Sequence, residues 1–123
     1  MLWSCKNNNA SKTAGLKEGT YTGYFVRSSP LARYASAKIT ITLKAGRFSG
    51  NSEKLIYPAI GEGTFRVIGS QLEFTDEKLW TADFDWSYIL KGKFDLDVKG
   101  EHLELIKVDG ENTDHYFLEL TKN

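Results

Sequence analysis

From position 37 to position 44 the chain alternates without a slip. Ala37, Ile39, Ile41 and Leu43 hold one parity, and Lys38, Thr40, Thr42 and Lys44 hold the other. An extended chain turns successive side chains to opposite faces, so this pattern specifies a strand with one buried and one solvated face. The same period recurs at 20–27, 47–51, 63–68, 71–75, 86–98, 101–107 and 114–121, which with 37–43 predicts eight strands. The run at 86–98 is the longest: Trp86, Tyr88, Leu90, Phe94, Leu96 and Val98 share a parity, and Gly92 offers a place to bend. The apolar parity nominates a core of Ile39, Ile41, Leu43, Phe65, Val67, Leu72, Phe74, Leu90, Phe94, Leu96, Leu103, Leu105, Leu118 and Leu120. No stretch of ten residues carries a capped period of 3.6, so no long helix is expected, and at most one helical turn between 52 and 61.

The connections order the strands. Lys44-Ala45-Gly46, Ile68-Gly69-Ser70 and Lys99-Gly100 read as tight hairpin turns, whereas 28–36, 52–62, 76–85 and 108–113 read as long loops. In a sequential antiparallel meander alternate connections fall at opposite ends. The chain is therefore expected to form an all-β, eight-stranded antiparallel up-and-down barrel with tight turns at one end and long loops at the other. Residues 19–123 form that one domain, and 1–18 are polar and irregular enough to serve as a flexible N-terminal tether.

Composition removes several functions. The 16 basic and 16 acidic residues balance, and the lysines are spread singly, so the basic stripe of a nucleic-acid binder is missing. With one cysteine, Cys5, no intramolecular disulfide can form, and His102 and His115 stand far apart without an obvious third ligand, which reads as two strand histidines and no metal. Asp76, Glu77, Asp83 and Asp85 gather on one loop without calcium-loop spacing, as expected of solvated, turn-capping carboxylates. No nucleophile elbow or phosphate loop is present, so neither an enzyme nor a cofactor is expected.

Two sets of residues resemble known families. Leu2-Trp3-Ser4-Cys5, followed by the polar tether, resembles a bacterial lipobox; it makes Cys5 either a lipidation site or an ordinary thiol on a tail. The segments Gly19-Thr20-Tyr21-Thr22-Gly23, Gly46-Arg47-Phe48-Ser49-Gly50, Gly63-Thr64-Phe65, Gly69-Ser70-Gln71-Leu72-Glu73-Phe74 and Trp80-Thr81-Ala82-Asp83-Phe84-Asp85-Trp86 resemble small lipocalin-like lipoproteins of the Bacteroidota. That resemblance implies a calycin-type barrel anchored as a lipoprotein in the periplasm or outer membrane, with the membrane reached only through Cys5. It implies no named ligand, and the Gly-x-Trp signature of true lipocalins is absent, because Gly19 is followed by Thr20 and Tyr21.

Function is expected at the long-loop end, in a monomer. Arg27, Arg33, Tyr34, Tyr57, Trp80 and Phe84 are the candidate binding residues: aromatic walls for a small apolar or amphipathic ligand, with the arginines for an anionic head group. Two alternatives stay open. The same loops could bind a protein, since Ser49-Gly50-Asn51-Ser52-Glu53-Lys54-Leu55-Ile56-Tyr57 resembles the inhibitory loop of periplasmic lysozyme inhibitors, or Trp80 and Phe84 could fold back as a plug.

Overall fold

A computed structural model describes residues 15–30, 32–54, 58–80 and 86–122, except the side chains of 32–35, 86 and 122. Its strands are β1 (Gly19–Ser29), β2 (Ala32–Lys44), β3 (Arg47–Ser52), β4 (Glu62–Ile68), β5 (Gln71–Asp76), β6 (Gly92–Lys99), β7 (His102–Asp109) and β8 (Asn112–Lys122). They pair antiparallel in chain order, and β8 returns to β1 to close the barrel. A closed eight-stranded up-and-down barrel is compatible with a lipocalin-like fold. At the closing seam Gly23 faces Leu118, and a Cβ on Gly23 would stand 1.7 Å from the Phe117 carbonyl oxygen. Only glycine lets the two backbones approach so closely.

Several expectations need correction. The 86–98 run is not one strand: Trp86–Tyr88 form a 3-10 turn, Ile89 makes an isolated parallel bridge to Ala59, and β6 starts at Gly92. That 3-10 turn lies after β5, outside the 52–61 stretch where at most one helical turn is expected, and residues 55–57 of that stretch lie outside the described residues. Two of the four long loops are tight turns, because β1 and β2 pair as far as Ser29 and Ala32, and β7 and β8 as far as Asp109 and Asn112. Arg33 and Tyr34, expected on the first of those loops, stand within β2. The long connections at the mouth are therefore residues 53–61 and 77–91.

Alternation places the core where the period of two predicts, with two exceptions. Phe65 is only partly buried and Val67 is 40% exposed. Both lie on the inward parity of β4, but β4 pairs with β3 only through Thr64, so the β4–β5 hairpin overshoots the barrel wall on that side. The interior also takes Tyr21, Phe25, Phe48, Ile60 and Tyr116, which complete one continuous apolar cluster. Six rings cross it in contact: Phe48 to Phe74 at 4.9 Å, Phe74 to Phe94 at 5.8 Å, and Phe94 to Tyr116 at 5.5 Å. Tyr116 then meets Phe25 at 5.0 Å, and Phe25 meets Tyr88 at 6.1 Å.

All but the tilted Tyr116–Phe25 pair are edge-to-face, and contacts of that kind add about 0.5–1.5 kcal/mol each beyond area burial. A barrel of eight strands is just wide enough to be filled by side chains, and among the described residues these rings occupy its interior. The tight-turn end is closed as well. Leu16 packs against the core, the Tyr21 hydroxyl donates to the Lys17 carbonyl, and Glu18 accepts from the Ala45 amide. The last residues of the stretch expected as a tether thus lie across the floor.

Candidate functional site

Parity along β1 turns Tyr21, Phe25 and Arg27 inward, and parity along β8 turns Asp114, Tyr116, Leu118 and Leu120 inward. Arg27 and Asp114 are direct partners on adjacent strands, so an arginine and an aspartate meet inside the mouth. Arg27 Nε donates to Asp114 Oδ1 at 2.6 Å and Nη2 donates to Oδ2 at 2.9 Å, a planar bidentate pair. Arg27 Nη1 donates to Ser87 Oγ at 2.9 Å and Nη2 also donates to the Ser87 carbonyl at 3.0 Å. The guanidinium carbon stands 3.9 Å from the centroid of the Tyr88 ring. Arg27 therefore holds the 3-10 turn down onto the barrel wall.

The two long loops are joined above it. Ala59 N–H donates to the Tyr88 carbonyl at 3.0 Å and Leu90 N–H donates to the Ala59 carbonyl at 2.9 Å. Pro58, Ala59, Ile60, Ile89 and Leu90 are all buried, so the mouth is corked by apolar side chains and paired backbone. The Arg27 guanidinium, expected to meet an anionic head group, is committed to this cork. The side chains of Arg33 and Tyr34, and the whole of Tyr57, Phe84 and Cys5, lie outside the described residues.

Beside the cork the wall opens. The β5–β6 ladder ends at Phe74 and Gly92, after which the strands diverge around the loop between them. The cleft left there, about 570 Å³, has Phe74, Trp80 and Ile89 as apolar lining and Lys78, Lys91 and Lys107 around it. Leu79, 94% exposed, forms part of its rim. The indole of Trp80 donates from Nε1 to Asp76 Oδ2 at 2.6 Å, and Lys78 Nζ stands 4.9 Å from its ring centroid. Lys107 Nζ donates to the Lys91 carbonyl at 2.9 Å and stands 5.2 Å from the Phe94 ring. Gly92, with φ at +87°, makes room for that ammonium, since a Cβ there would lie 2.9 Å from it. Asp76 Oδ1, on the side of Gly61, is the one buried side-chain oxygen or nitrogen among the described residues without a hydrogen bond.

Of the expected binding residues, the structure brings Trp80 to this cleft. The three lysines beside it are scattered in sequence and form no motif. The signal was available: Lys78 and Lys91 flank one connection, and Lys107 nears the end of a strand that runs toward the same rim.

The histidines meet on the outer wall. His102 Nε2 lies 2.7 Å from Glu104 Oε2 and Nδ1 lies 2.6 Å from Glu119 Oε2, while His115 Nε2 lies 3.0 Å from Glu104 Oε1. The hydrogen bonds to Glu104 and then Glu119 raise the His102 pKa, and those from His102 and His115 lower that of Glu104. A His102 ring donating from both nitrogens has no lone pair for a metal. Among the described residues no group of three or more His, Cys, Asp or Glu could hold a metal ion. Comparison with protein-family models, with curated proteins and with solved structures finds no match.

The cork's dependence on Arg27 is testable. Arg27→Met should cost about 3–5 kcal/mol in chemical denaturation, because it leaves Asp114 buried and unpaired. The double variant Arg27→Met/Asp114→Leu should recover most of that loss. Equal destabilisation of the single and double variants would show that the lost bonds to Ser87, and not the unpaired Asp114, carry the cost.

Proposed function

We propose that this chain is a non-enzymatic binding protein that takes a small amphipathic anion in the lysine-rimmed cleft at the long-loop end of the barrel. The observation that carries this reading is the convergence of Lys78, Lys91 and Lys107 on an opening lined by Phe74, Trp80 and Ile89. Among the described lining residues three lysines stand against one carboxylate, Asp76, which already accepts from Trp80. Such a rim favours a carboxylate, sulfate or phosphate head, and the apolar lining favours a short hydrocarbon or aromatic body. The filled interior directs the ligand to the wall instead of the barrel axis.

Isothermal titration with decanoate, below its micelle concentration, tests the site. Lys107→Met should weaken binding by about tenfold or more, the scale of a lost charge-assisted hydrogen bond. Lys99→Met, at the opposite end, should change nothing. Equal affinity in Lys107→Met and the wild type, or no binding at all, would overturn the reading.

The same proposal includes a bacterial envelope location, as a lipoprotein of the Bacteroidota kind anchored through Cys5. Its support is the likeness of Leu2-Trp3-Ser4-Cys5 to a lipobox and the strand and turn segments quoted above. Expressed with a signal peptide, the protein should incorporate labelled fatty acid and Cys5→Ser should not; an unlabelled wild type would remove the anchor from the reading.

A further inference from the structure

The outer wall carries a second concavity, remote from the cork in its chemistry. It is a groove of about 420 Å³ across β1, β2 and the end of β3. Outward parity brings Thr22, Thr40 and Asn51 into one row, because Thr22 pairs with Thr40 and Thr40 with Asn51. One residue pair along, Tyr24 sits between Lys38 and Phe117. Tyr24 is 52% exposed and Phe117 38% exposed, and Phe117 is itself stacked on His115 at 3.8 Å, which fixes its ring. Two large rings therefore stand side by side in solvent, where they contribute nothing to the core.

The polar groups of the groove are available for exchange. Neighbouring Thr20 and Thr42 share a hydrogen bond at 3.2 Å, and Ser52 accepts from the Lys54 amide. By contrast, among the described residues no protein hydrogen bond engages the side chains of Thr22, Thr40 and Asn51 or the Tyr24 hydroxyl. Among the described residues that line the groove Lys38 and Glu53 are the ionic groups, and Glu119 stands beside Thr22 on β8; Glu53 Oε2 already accepts from the Lys38 amide at 3.0 Å.

We infer that this groove binds a neutral oligosaccharide, with Tyr24 as the stacking platform. A pyranose ring has an apolar face of C–H bonds that suits an exposed aromatic ring, and a rim of hydroxyls that both donate and accept. Thr22 and Thr40 offer hydroxyls of the same dual character, and Asn51 offers an amide with separate donor and acceptor. An anionic ligand would find no net opposite charge among the described residues here, unlike at the lysine cleft.

The test is an NMR titration of the full chain with cellohexaose, xylohexaose, chitohexaose and maltoheptaose, with hexagalacturonate as the anionic comparison. At least one neutral sugar should bind, moving the amides of Thr22, Tyr24, Thr40 and Asn51. Tyr24→Ala should lose about tenfold in affinity, as expected of an aromatic anchor, and Tyr24→Phe should stay close to the wild type. Asn51→Ala gives a second reading of the row, and unchanged melting of both variants shows that the loss is one of binding. Absence of neutral sugar binding at millimolar concentration, tighter binding of hexagalacturonate, or full affinity in Tyr24→Ala would each overturn the inference.

Discussion

One guanidinium joins the wall of this barrel to its loops. Arg27 leaves β1 pointing inward, pairs with Asp114 on the neighbouring strand and reaches up to Ser87 and Tyr88 in the connection between β5 and β6. A buried ion pair of this kind stabilises little by itself, because desolvating both charges offsets most of their attraction. Its contribution is positional. The planar fork directs two further donors to one serine, which positions the 3-10 turn over the mouth. The rest follows in order: Tyr88 offers its carbonyl to Ala59, Ala59 offers its own to Leu90, and the two long loops become a cork.

A corked, filled barrel changes where binding can occur. In an eight-stranded barrel with small interior residues the axis is the natural cavity, but here Phe25, Phe74, Phe94 and Tyr116 occupy it. Removing such a ring costs about 3–5 kcal/mol where the site cannot collapse, so the interior is not readily vacated for a guest. The two concave surfaces proposed for binding lie on its outside. One arises where β5 and β6 part beyond Gly92, the other where β1, β2 and β3 carry a row of short polar side chains beside two exposed rings. Their chemistries are opposite, cationic and apolar in one case, neutral and hydroxyl-rich in the other.

The period of two made most of the fold legible, because burial on one face of a closed sheet leaves no freedom of register. Ile39, Ile41, Leu43, Leu103 and Leu105 are buried for that reason. The same rule, applied without regard to polarity, would have turned Arg27 and Asp114 inward, since they share parity with Phe25 and Tyr116. Arg27, expected to meet an anionic head group at the rim, is buried instead, and the partner strand's aspartate makes that burial tolerable. The 86–98 run misled differently. Its alternation continues through Trp86 and Tyr88, yet the chain there is a turn, because hydrogen bonds to Ala59 and Arg27 outweigh a local preference for extension. Val67 keeps its parity but loses its cover, since strand lengths on either side are a property of the whole barrel. The lysine cleft was hidden by sequence distance alone.

Amide hydrogen exchange at Ala59 and Leu90 tests the corked barrel most directly. Both amides donate within the cork, so the expected result is protection within about tenfold of the slow amides in β1 and β8, which report cooperative opening of the barrel. Exchange at the rate of an open surface loop, while β1 and β8 stay protected, would show that the mouth opens on its own and that the interior is reachable after all.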